Sequence, residues 1–243
     1  MNINRNILHL IKKKLYKKKN YYNFFSKKFD KKNSIRLSYD YQSGSYIKRW
    51  LKNKSIDYMH DKEVVKIIKE NFTKFNSILD CGCGELTRTQ NIIKLLDKNI
   101  KYYAFDISLN RLLIGLKKFK LKKKINAFVA DIENLPFFNR SIDVCLTIHS
   151  IEPNSGMEKE FLEEILRVSN LGAVLIEPDF ILGSKRQKAR MKKLNYCKNL
   201  EKIIKKQKYR YKKIPLKNIL NIENKSSAFV IFKKKVKKMF LNM

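Results

Sequence analysis

The sequence contains few of the residues on which metal centres, disulfide scaffolds and membrane spans depend. It has 4 cysteines and 3 histidines among 243 residues, and no two cysteines have Cys-x-x-Cys spacing. Because a zinc site needs about four convergent ligands, we predict no metal. We interpret Cys81, Cys83, Cys145 and Cys197 as reduced packing residues, which favours a cytoplasmic protein.

Long apolar runs are also missing. No stretch approaches the roughly 18 apolar residues that a transmembrane helix requires, and lysines interrupt the apolar residues at the start, unlike a secretory signal. There is no Gly/Ser linker and no internal repeat, while 44% of the residues are hydrophobic, enough for a large core. We therefore predict a single α/β domain over residues 61–243 with residues 1–60 as a helical extension.

Acidic residues are scarce, which leaves a net charge of +33. Residues 1–60 carry 16 basic and 3 acidic side chains, residues 61–180 carry 18 and 17, and residues 181–243 carry 21 and 2. The excess therefore lies in the two flanks, which would favour RNA or an anionic membrane surface as partners. The alternative is a composition bias towards Lys, Asn, Ile, Phe and Tyr, as a strongly AT-rich genome would produce.

The first 29 residues contain no Asp or Glu. Ile3, Ile7, Ile11 and Leu15 recur every four residues among lysines, a spacing typical of a basic amphipathic helix. We expect this helix to pack on the domain. The alternatives are association with a membrane surface, RNA binding and targeting to an organelle.

Helical and strand patterns alternate from residue 61 onwards. Such alternation predicts a mostly parallel, doubly wound sheet of seven strands, with the last two strands antiparallel because the connection between them is short. The predicted helices are 61–74, 86–97, 109–120, 156–168 and 184–207, and the predicted strands are 77–81, 101–106, 126–130, 143–149, 173–178, 209–214 and 228–232.

The segment Ile78-Leu79-Asp80-Cys81-Gly82-Cys83-Gly84 is the most informative in the chain. An apolar strand ends in an acidic residue and in two glycines separated by one residue. Glycine lets a ligand approach the backbone, and the next helix offers unpaired N–H groups. The segment predicts a site for an adenosine-containing cofactor.

Two further apolar runs end in a carboxylate, at Asp106 and at Asp131. In open α/β sheets the ligand crevice lies outside the carboxyl ends of the strands. A carboxylate roughly 20 residues past the glycines accepts hydrogen bonds from ribose hydroxyls. Asp106 has the position for that role.

Together these segments resemble class I S-adenosylmethionine-dependent methyltransferases of the type 11-like kind, over residues 60–235. Residues 78–84 are similar to the glycine motif of that family, residues 105–108 to its ribose motif, residues 130–137 to its adenine motif and residues 139–144 to the entry of its fourth strand. The resemblance implies a Rossmann-like methyltransferase fold with S-adenosyl-L-methionine as cofactor. One position departs from the motif, because Leu86 stands where the family often has a third glycine.

The resemblance also implies roles for particular residues. Gly82 and Gly84 would meet the methionine end of the cofactor, and Asp80 would orient its ammonium group. Asp106 would hold the ribose hydroxyls, and Asp131 with the Ile132 backbone would bracket the adenine. The alternative role for Asp131 is that of a helix N-cap over Asn134. The same cofactor-binding set includes Ile107 and Thr147.

The chemistry is expected just past the fourth strand, in the segment from Thr147 to Asn154. His149 is the candidate catalytic residue, because a neutral imidazole can take a proton from an attacking hydroxyl or amine. The alternative is a histidine that only completes the hydrogen bonds of a strand end. Glu152, Glu177 and Asp179 are candidate substrate-binding carboxylates at the same edge.

The resemblance leaves the methyl acceptor open. We expect a small molecule or a sugar of a surface glycan, since the central module is nearly neutral and the HxxEPN segment at 149–154 resembles branches of the family associated with glycans. An RNA methyltransferase is the alternative, favoured by Tyr and Phe side chains interleaved with lysines. Against it, no Asn-Pro-Pro-Tyr type tetrapeptide occurs. A third hypothesis is a noncatalytic factor that keeps the fold and binds RNA or membrane. The aromatic residues in question are Tyr16, Tyr21, Tyr22, Phe24, Phe25, Tyr209 and Tyr211.

Overall fold

A computed structural model gives the structure of this protein for residues 30–218 and 223–233. Helices and strands alternate through these ranges, and the basic helix predicted within residues 1–29 lies outside them. The helices are α1 Lys31–Tyr41, α2 Ser45–Lys52, α3 Lys54–Asn71, α4 Thr89–Leu95, α5 Leu109–Phe119, α6 Glu158–Val168, α7 Lys185–Lys193 and α8 Leu200–Lys206. The strands are β1 Ser77–Cys81, β2 Lys101–Asp106, β3 Asn126–Val129, β4 Ile142–Ile148, β5 Ser169–Pro178, β6 Arg210–Pro215 and β7 Ser226–Phe232.

The seven strands form one sheet in the order β3-β2-β1-β4-β5-β7-β6. The pairings among β1 to β5 are parallel, whereas β7 is antiparallel to both β5 and β6. The predicted α/β fold with a seven-stranded sheet is confirmed, and so is the antiparallel pairing of the last two strands. The sheet as a whole is mixed, because β7 returns from β6 over too short a connection for a crossover helix.

Two predicted elements have different limits. The helix predicted over 61–74 begins earlier, at Lys54, and the basic helix predicted over 184–207 is two helices, α7 and α8. Asn195 interrupts it with a left-handed φ of 49°, a common conformation where helices end. The Cys197 N–H then donates to the Glu152 carbonyl at 2.9 Å, which ties this break to the loop after β4.

The core occupies both faces of the sheet, as expected when alternate strand residues point to opposite sides. On one face α3, α4 and α5 cover the sheet, with Ile68, Ile92 and Leu112 buried against Ile78. On the other face α6 and α8 cover it; their buried apolar side chains are Phe161, Leu162, Ile165, Leu166, Leu200 and Ile204. Each fully buried aliphatic side chain stabilises the fold by about 1.5–3 kcal/mol. The sheet is therefore a rigid base for the loops at its edge.

Residues 30–52, which we call the cap, form α1 and α2 and pack against the domain. The Asp40 carboxylate accepts a hydrogen bond of 2.5 Å from the Ser108 hydroxyl. The side chain of Trp50 packs edge-on against Phe119, with ring centroids 5.0 Å apart. The predicted domain boundary at residue 60 falls within α3, which runs without a break from Lys54 to Asn71.

The predictions about cysteines, metal ligands and membrane-spanning helices can be compared with the described residues. Cys81, Cys145 and Cys197 have free thiols buried in the core, and Cys83 is half-buried. No group of three or more His, Cys, Asp or Glu in the described ranges is arranged to hold a metal ion. Among the helices described, none has the length and apolarity needed to cross a membrane.

Candidate active site

A cavity of about 470 Å³ lies at the carboxyl edge of the sheet, where β1, β2, β3 and β4 end. Its base is formed by the loops after these strands, and the cap forms the opposite wall. The volume lies within the range of small-molecule sites, roughly 300–1,000 Å³. The predicted site residues in its wall are Gly82, Gly84, Asp106, Ile107, Asp131, Ile132, His149 and Glu152.

The glycine loop after β1 forms one side of the cavity. Gly82 has φ of 75°, and a Cβ built on it would lie 2.5 Å from the Ser150 Cβ, so only glycine fits between the two loops. The Gly82 and Cys83 N–H groups both donate to the Phe105 carbonyl at 2.9 Å. The loop is thus fixed to the end of β2 and exposes its backbone to the cavity.

The residue at the expected third glycine position, Leu86, takes a left-handed φ of 57° and buries its side chain completely. Left-handed φ is uncommon for a residue other than glycine. The space comes from α5, because a Cβ on Gly115 would lie 2.5 Å from the Glu85 carbonyl oxygen and 3.1 Å from the Leu86 Cγ. A glycine on the neighbouring helix therefore lets helix and loop pack closely, as a third glycine in the loop would.

Asp106 joins the first two loops. Its Oδ2 accepts from the Gly84 N–H at 2.8 Å and its Oδ1 from the Ser108 N–H at 2.9 Å. Burial raises the pKa of this carboxyl, while the Arg111 charge and the two backbone bonds counteract the rise. Asp106 thus lies in the cavity wall with its orientation fixed, as its predicted ribose-binding role requires.

Two residues of the predicted cofactor set lie behind the cavity wall. The Asp80 Oδ2 accepts from the Thr89 hydroxyl at 2.7 Å and from the Tyr102 hydroxyl at 3.1 Å. Burial raises the pKa of Asp80 to about 6, although both hydrogen bonds lower it. The buried Thr147 hydroxyl donates to Glu177 at 2.9 Å. Both side chains hold the strand ends in place.

The loop after β3 carries the predicted adenine-binding pair, Asp131 and Ile132, and both line the cavity. The Asp131 Oδ1 accepts from the Glu133 N–H at 3.1 Å in a tight turn. Its other oxygen forms an ion pair with Lys32 of the cap. Since β3 is followed by a turn and no helix begins there, Asp131 does not act as a helix N-cap.

His149 follows β4 and takes a left-handed φ of 56°, a conformation that costs about 1–3 kcal/mol. Its Nδ1 lies 2.9 Å from the Glu152 carboxylate and its Nε2 lies 3.0 Å from the Ser226 hydroxyl. Burial opposes protonation of the imidazole, but the carboxylates of Glu152 and Glu177 outweigh it and raise the pKa of His149. The strained backbone thus brings one ring between two hydrogen-bonding partners beside the cavity.

Glu177 and Asp179, predicted to bind substrate, do not line this cavity. The Glu177 carboxylate accepts bonds of 3.1–3.2 Å from the N–H groups of residues 150, 151 and 152, and thereby shapes the loop that carries His149. Burial raises the pKa of Glu177 to about 7. Asp179 accepts from the Ser227 hydroxyl at 2.7 Å and pairs with Lys213 at 2.8 Å. Both carboxylates support the loops behind the site.

The cap supplies site residues that the sequence did not reveal. Tyr39, Tyr46 and Arg49 all line the cavity, and so does Arg111 of α5, whose guanidinium lies within 4.4 Å of both tyrosine ring centroids. One sequence signal for the cap exists: Asp30 accepts from the Asn33 N–H at 2.9 Å and caps α1, the pattern of an acidic residue three positions before a helical N–H.

Similarity to known proteins agrees with this geometry. Residues 78–172 match the family model described as a methyltransferase domain. The malonyl-[acyl-carrier protein] O-methyltransferase of Hamiltonella defensa is 31% identical over 113 residues, which are 46% of this chain and 41% of that protein. The chain therefore spans less than half the length of this curated relative.

Solved structures share the fold. A SAM dependent methyltransferase from Aquifex aeolicus has a TM-score of 0.57 and 17% identity, covering 72% of this chain and 92% of that chain. The magnesium protoporphyrin IX methyltransferase of Synechocystis PCC 6803, solved with bound SAH, has a TM-score of 0.61 and 13% identity over 84% and 100% of the two chains. At such low identity these structures establish the fold alone.

Proposed function

We propose that this chain, whose residues 78–172 match a methyltransferase domain, is a class I S-adenosylmethionine-dependent methyltransferase that acts on a small molecule. The methyltransferase class that four sequence motifs implied is confirmed for residues 78–172. S-adenosylmethionine as the cofactor is part of the proposal. The identity of the acceptor and the roles of individual residues are part of the proposal.

The observation that carries the proposal is that most of the predicted cofactor-binding residues and the candidate catalytic residue line the same cavity. The glycine loop, Asp106 and Asp131 lie on one side of it, and His149 with Glu152 lies on another. A cofactor and an acceptor bound in the same enclosed space are held close together. Such positioning can supply up to roughly 7–11 kcal/mol of the barrier, so methyl transfer needs no elaborate set of catalytic groups.

The described residues fit the cofactor. Gly82 and Gly84 leave backbone exposed for its methionine end, Asp106 faces the cavity for the ribose, and Asp131 with Ile132 lines the space for the adenine. When bound, S-adenosylmethionine supplies an electrophilic methyl group, and the sulfonium keeps the electron pair of the broken S–C bond as S-adenosylhomocysteine forms. Asp80 and Thr147 do not line the cavity; their hydrogen bonds hold the ends of β1 and β4 in place.

His149 and Glu152 are the groups proposed to receive the proton of the acceptor. Both line the cavity, and their 2.9 Å contact lets the carboxylate stabilise an imidazolium. The Ser226 hydroxyl contacts the other ring nitrogen and sets the orientation of the ring. An attacking hydroxyl or amine that replaces the Ser226 hydroxyl at Nε2 would therefore give its proton to this nitrogen as the new bond to the methyl group forms.

The size of the cavity supports a small acceptor. Tyr39, Tyr46 and Arg49 of the cap line it together with the loops after the strands, and its volume of about 470 Å³ is that of a small-molecule site. The similar proteins named above are methyltransferases of malonyl-[acyl-carrier protein] and of magnesium protoporphyrin IX, which agrees with a small acceptor group. The RNA and membrane alternatives depend on the basic flanks, and residues 1–29 and 234–243 lie outside the described ranges.

The test begins with the purified chain, freed of nucleic acid and titrated separately with S-adenosylmethionine and with NAD by calorimetry. We expect binding of S-adenosylmethionine alone. Labelled cofactor is then used to follow methyl transfer to small-metabolite, glycan and RNA fractions. Transfer confined to RNA would contradict the small-molecule proposal, and cofactor binding without transfer to any fraction would favour the noncatalytic alternative.

A further inference from the structure

Arg111 is a buried cation without a carboxylate partner. Only 4% of the residue is exposed, and its guanidinium lies 4.2 Å from the ring centroid of Tyr39 and 4.4 Å from that of Tyr46. The buried Nε and Nη2 atoms make no hydrogen bond in the structure. Arginine stays protonated in proteins and carries five N–H donors in one plane. The donors on Nε and Nη2 therefore lack an acceptor, whereas the Tyr46 side chain is a hydrogen-bond partner of the guanidinium.

Asp106 interacts electrostatically with Arg111 but forms no ion pair with it. Both oxygens of Asp106 already accept backbone bonds, from Gly84 and from Ser108. Within the described residues, no carboxylate lies within 4.0 Å of the Arg111 nitrogens. An unpaired buried charge is costly. By contrast Arg88, in the same cavity wall, is paired with Asp57.

One edge of the guanidinium lies at the cavity. The ring centroids of Tyr39 and Tyr46 both lie within 4.4 Å of its central carbon, so the rings keep water away from much of the group. Arg111 lies in the cavity wall, and its Nη1 is 3.6 Å from the point where a Cβ on Gly84 would stand. The edge of the guanidinium is therefore beside the glycine loop, at the cavity.

We infer that Arg111 binds a carboxylate of the molecule that fills the cavity, through paired N–H···O bonds along this edge. Such paired, charge-assisted bonds are among the strongest that arginine makes. The inference rests on the proposed function, because it assumes that the cavity is the ligand site. Two sources supply a carboxylate there: the methionine part of S-adenosylmethionine and an acidic acceptor.

The first arm of the test addresses the cofactor. The wild-type chain is titrated by calorimetry with S-adenosylmethionine and with its decarboxylated analogue, which differ only in this carboxylate. If Arg111 binds this carboxylate, the analogue should bind about tenfold or more weakly than S-adenosylmethionine. Arg111→Met should remove that difference, and Arg111→Lys should restore part of it.

The second arm addresses the acceptor. Benzoate and benzamide are titrated with S-adenosylhomocysteine at saturation, and the preference for the carboxylate is compared between wild type and Arg111→Met. The matched control is Arg186→Met, because Arg186 is exposed and lies outside the cavity wall; it should keep the preferences of the wild type.

The outcomes separate the inference from the function on which it rests. A carboxylate preference in either arm that Arg111→Met removes supports the inference and identifies the source. The inference is overturned, and the proposed function is not, if the wild-type chain binds S-adenosylmethionine and its decarboxylated analogue equally and also binds benzoate and benzamide equally. Because this comparison uses the wild-type chain, it holds even if Arg111→Met fails to fold. Failure of S-adenosylmethionine itself to bind would overturn both.

Discussion

The Glu85 carboxylate accepts a hydrogen bond from the Ile47 N–H at 2.8 Å, so a residue of the glycine loop caps the first turn of α2. The same carboxylate accepts from the Gly44 N–H at 2.9 Å. Glu85 is almost completely buried, at 1% exposure. The cap is thus attached to the loop that is proposed to hold the methionine end of the cofactor.

We expect Glu85→Ala to loosen the cap and to weaken binding of S-adenosylmethionine. The change leaves the Gly44 and Ile47 N–H groups without their acceptor, and each unpaired buried donor costs about 1–3 kcal/mol. Calorimetry measures the affinity, and limited proteolysis with mapping of the cleavage sites measures exposure of residues 30–52. Unchanged affinity together with unchanged protection of the cap would show that this attachment is unimportant.

Asp106→Ala should weaken binding of S-adenosylmethionine by about 1.5–3 kcal/mol, the usual value of a hydrogen bond to a charged group. The reason is that Asp106 both faces the cavity and orients the Gly84 N–H. Asp97→Ala is the matched control, because that carboxylate is 75% exposed and pairs with Lys69 outside the cavity. Equal affinity of the two variants in calorimetry would rule out the ribose assignment.

If the neutral His149 accepts the proton of the acceptor, the rate should fall as the pH falls through the pKa of this imidazole. That pKa is raised above its usual 6.5, so the acid limb of kcat should lie above this value. Glu152→Gln removes a carboxylate that raises the pKa, and the limb should then move to lower pH. A pH–rate profile of both proteins measures the shift, and an NMR titration of the imidazole identifies the group.

His60 serves as the internal reference in that titration. It is completely buried, and burial lowers its pKa to about 3, so its resonances should stay constant across the neutral range. If the acid limb does not move in Glu152→Gln while the His149 resonances do, His149 is not the proton acceptor.

Glu177→Ala should destabilise the fold by about 3 kcal/mol or more, because it leaves several buried donors unpaired and each costs about 1–3 kcal/mol. The affected donors are the Thr147 hydroxyl and the N–H groups of residues 150–152. Chemical denaturation measures the free energy of unfolding, and Glu160→Ala on the exposed face of α6 is the control. A substrate-binding role without a structural one would instead leave stability unchanged and raise KM.

The sheet and the convergence of the glycine loop with Asp106 and Asp131 could be predicted because their sequence signals are local. Ile78 and Leu79 are buried on the two faces of β1, and this strand has the limits predicted from the sequence, Ser77–Cys81. Gly82, Asp106 and Asp131 end neighbouring parallel strands, and the sheet topology then brings them to one edge.

The sequence predicted a helical extension over residues 1–60, but not that residues 30–52 form a wall of the cavity. The buried residues of α1 are Ser34, Ile35 and Ser38, two of which are polar. The contacts of the cap with the domain are mixed: the bond between Asp40 and Ser108 is polar, and the packing of Trp50 against Phe119 is aromatic. Nor does a helical pattern reveal that Arg111 is buried, since the rings that cover it come from residues far away in the chain.

The position of the cap has a consequence for how this protein is truncated. A fragment expressed from residue 61, the predicted domain boundary, would keep all seven strands and most of α3. It would lack Tyr39 and Tyr46, so the Arg111 guanidinium would be open to water, and the Glu85 carboxylate would lose its backbone donors. We expect such a fragment to fold around the sheet but to be a poor reagent for ligand screening, because the wall that closes the cavity is encoded ahead of it.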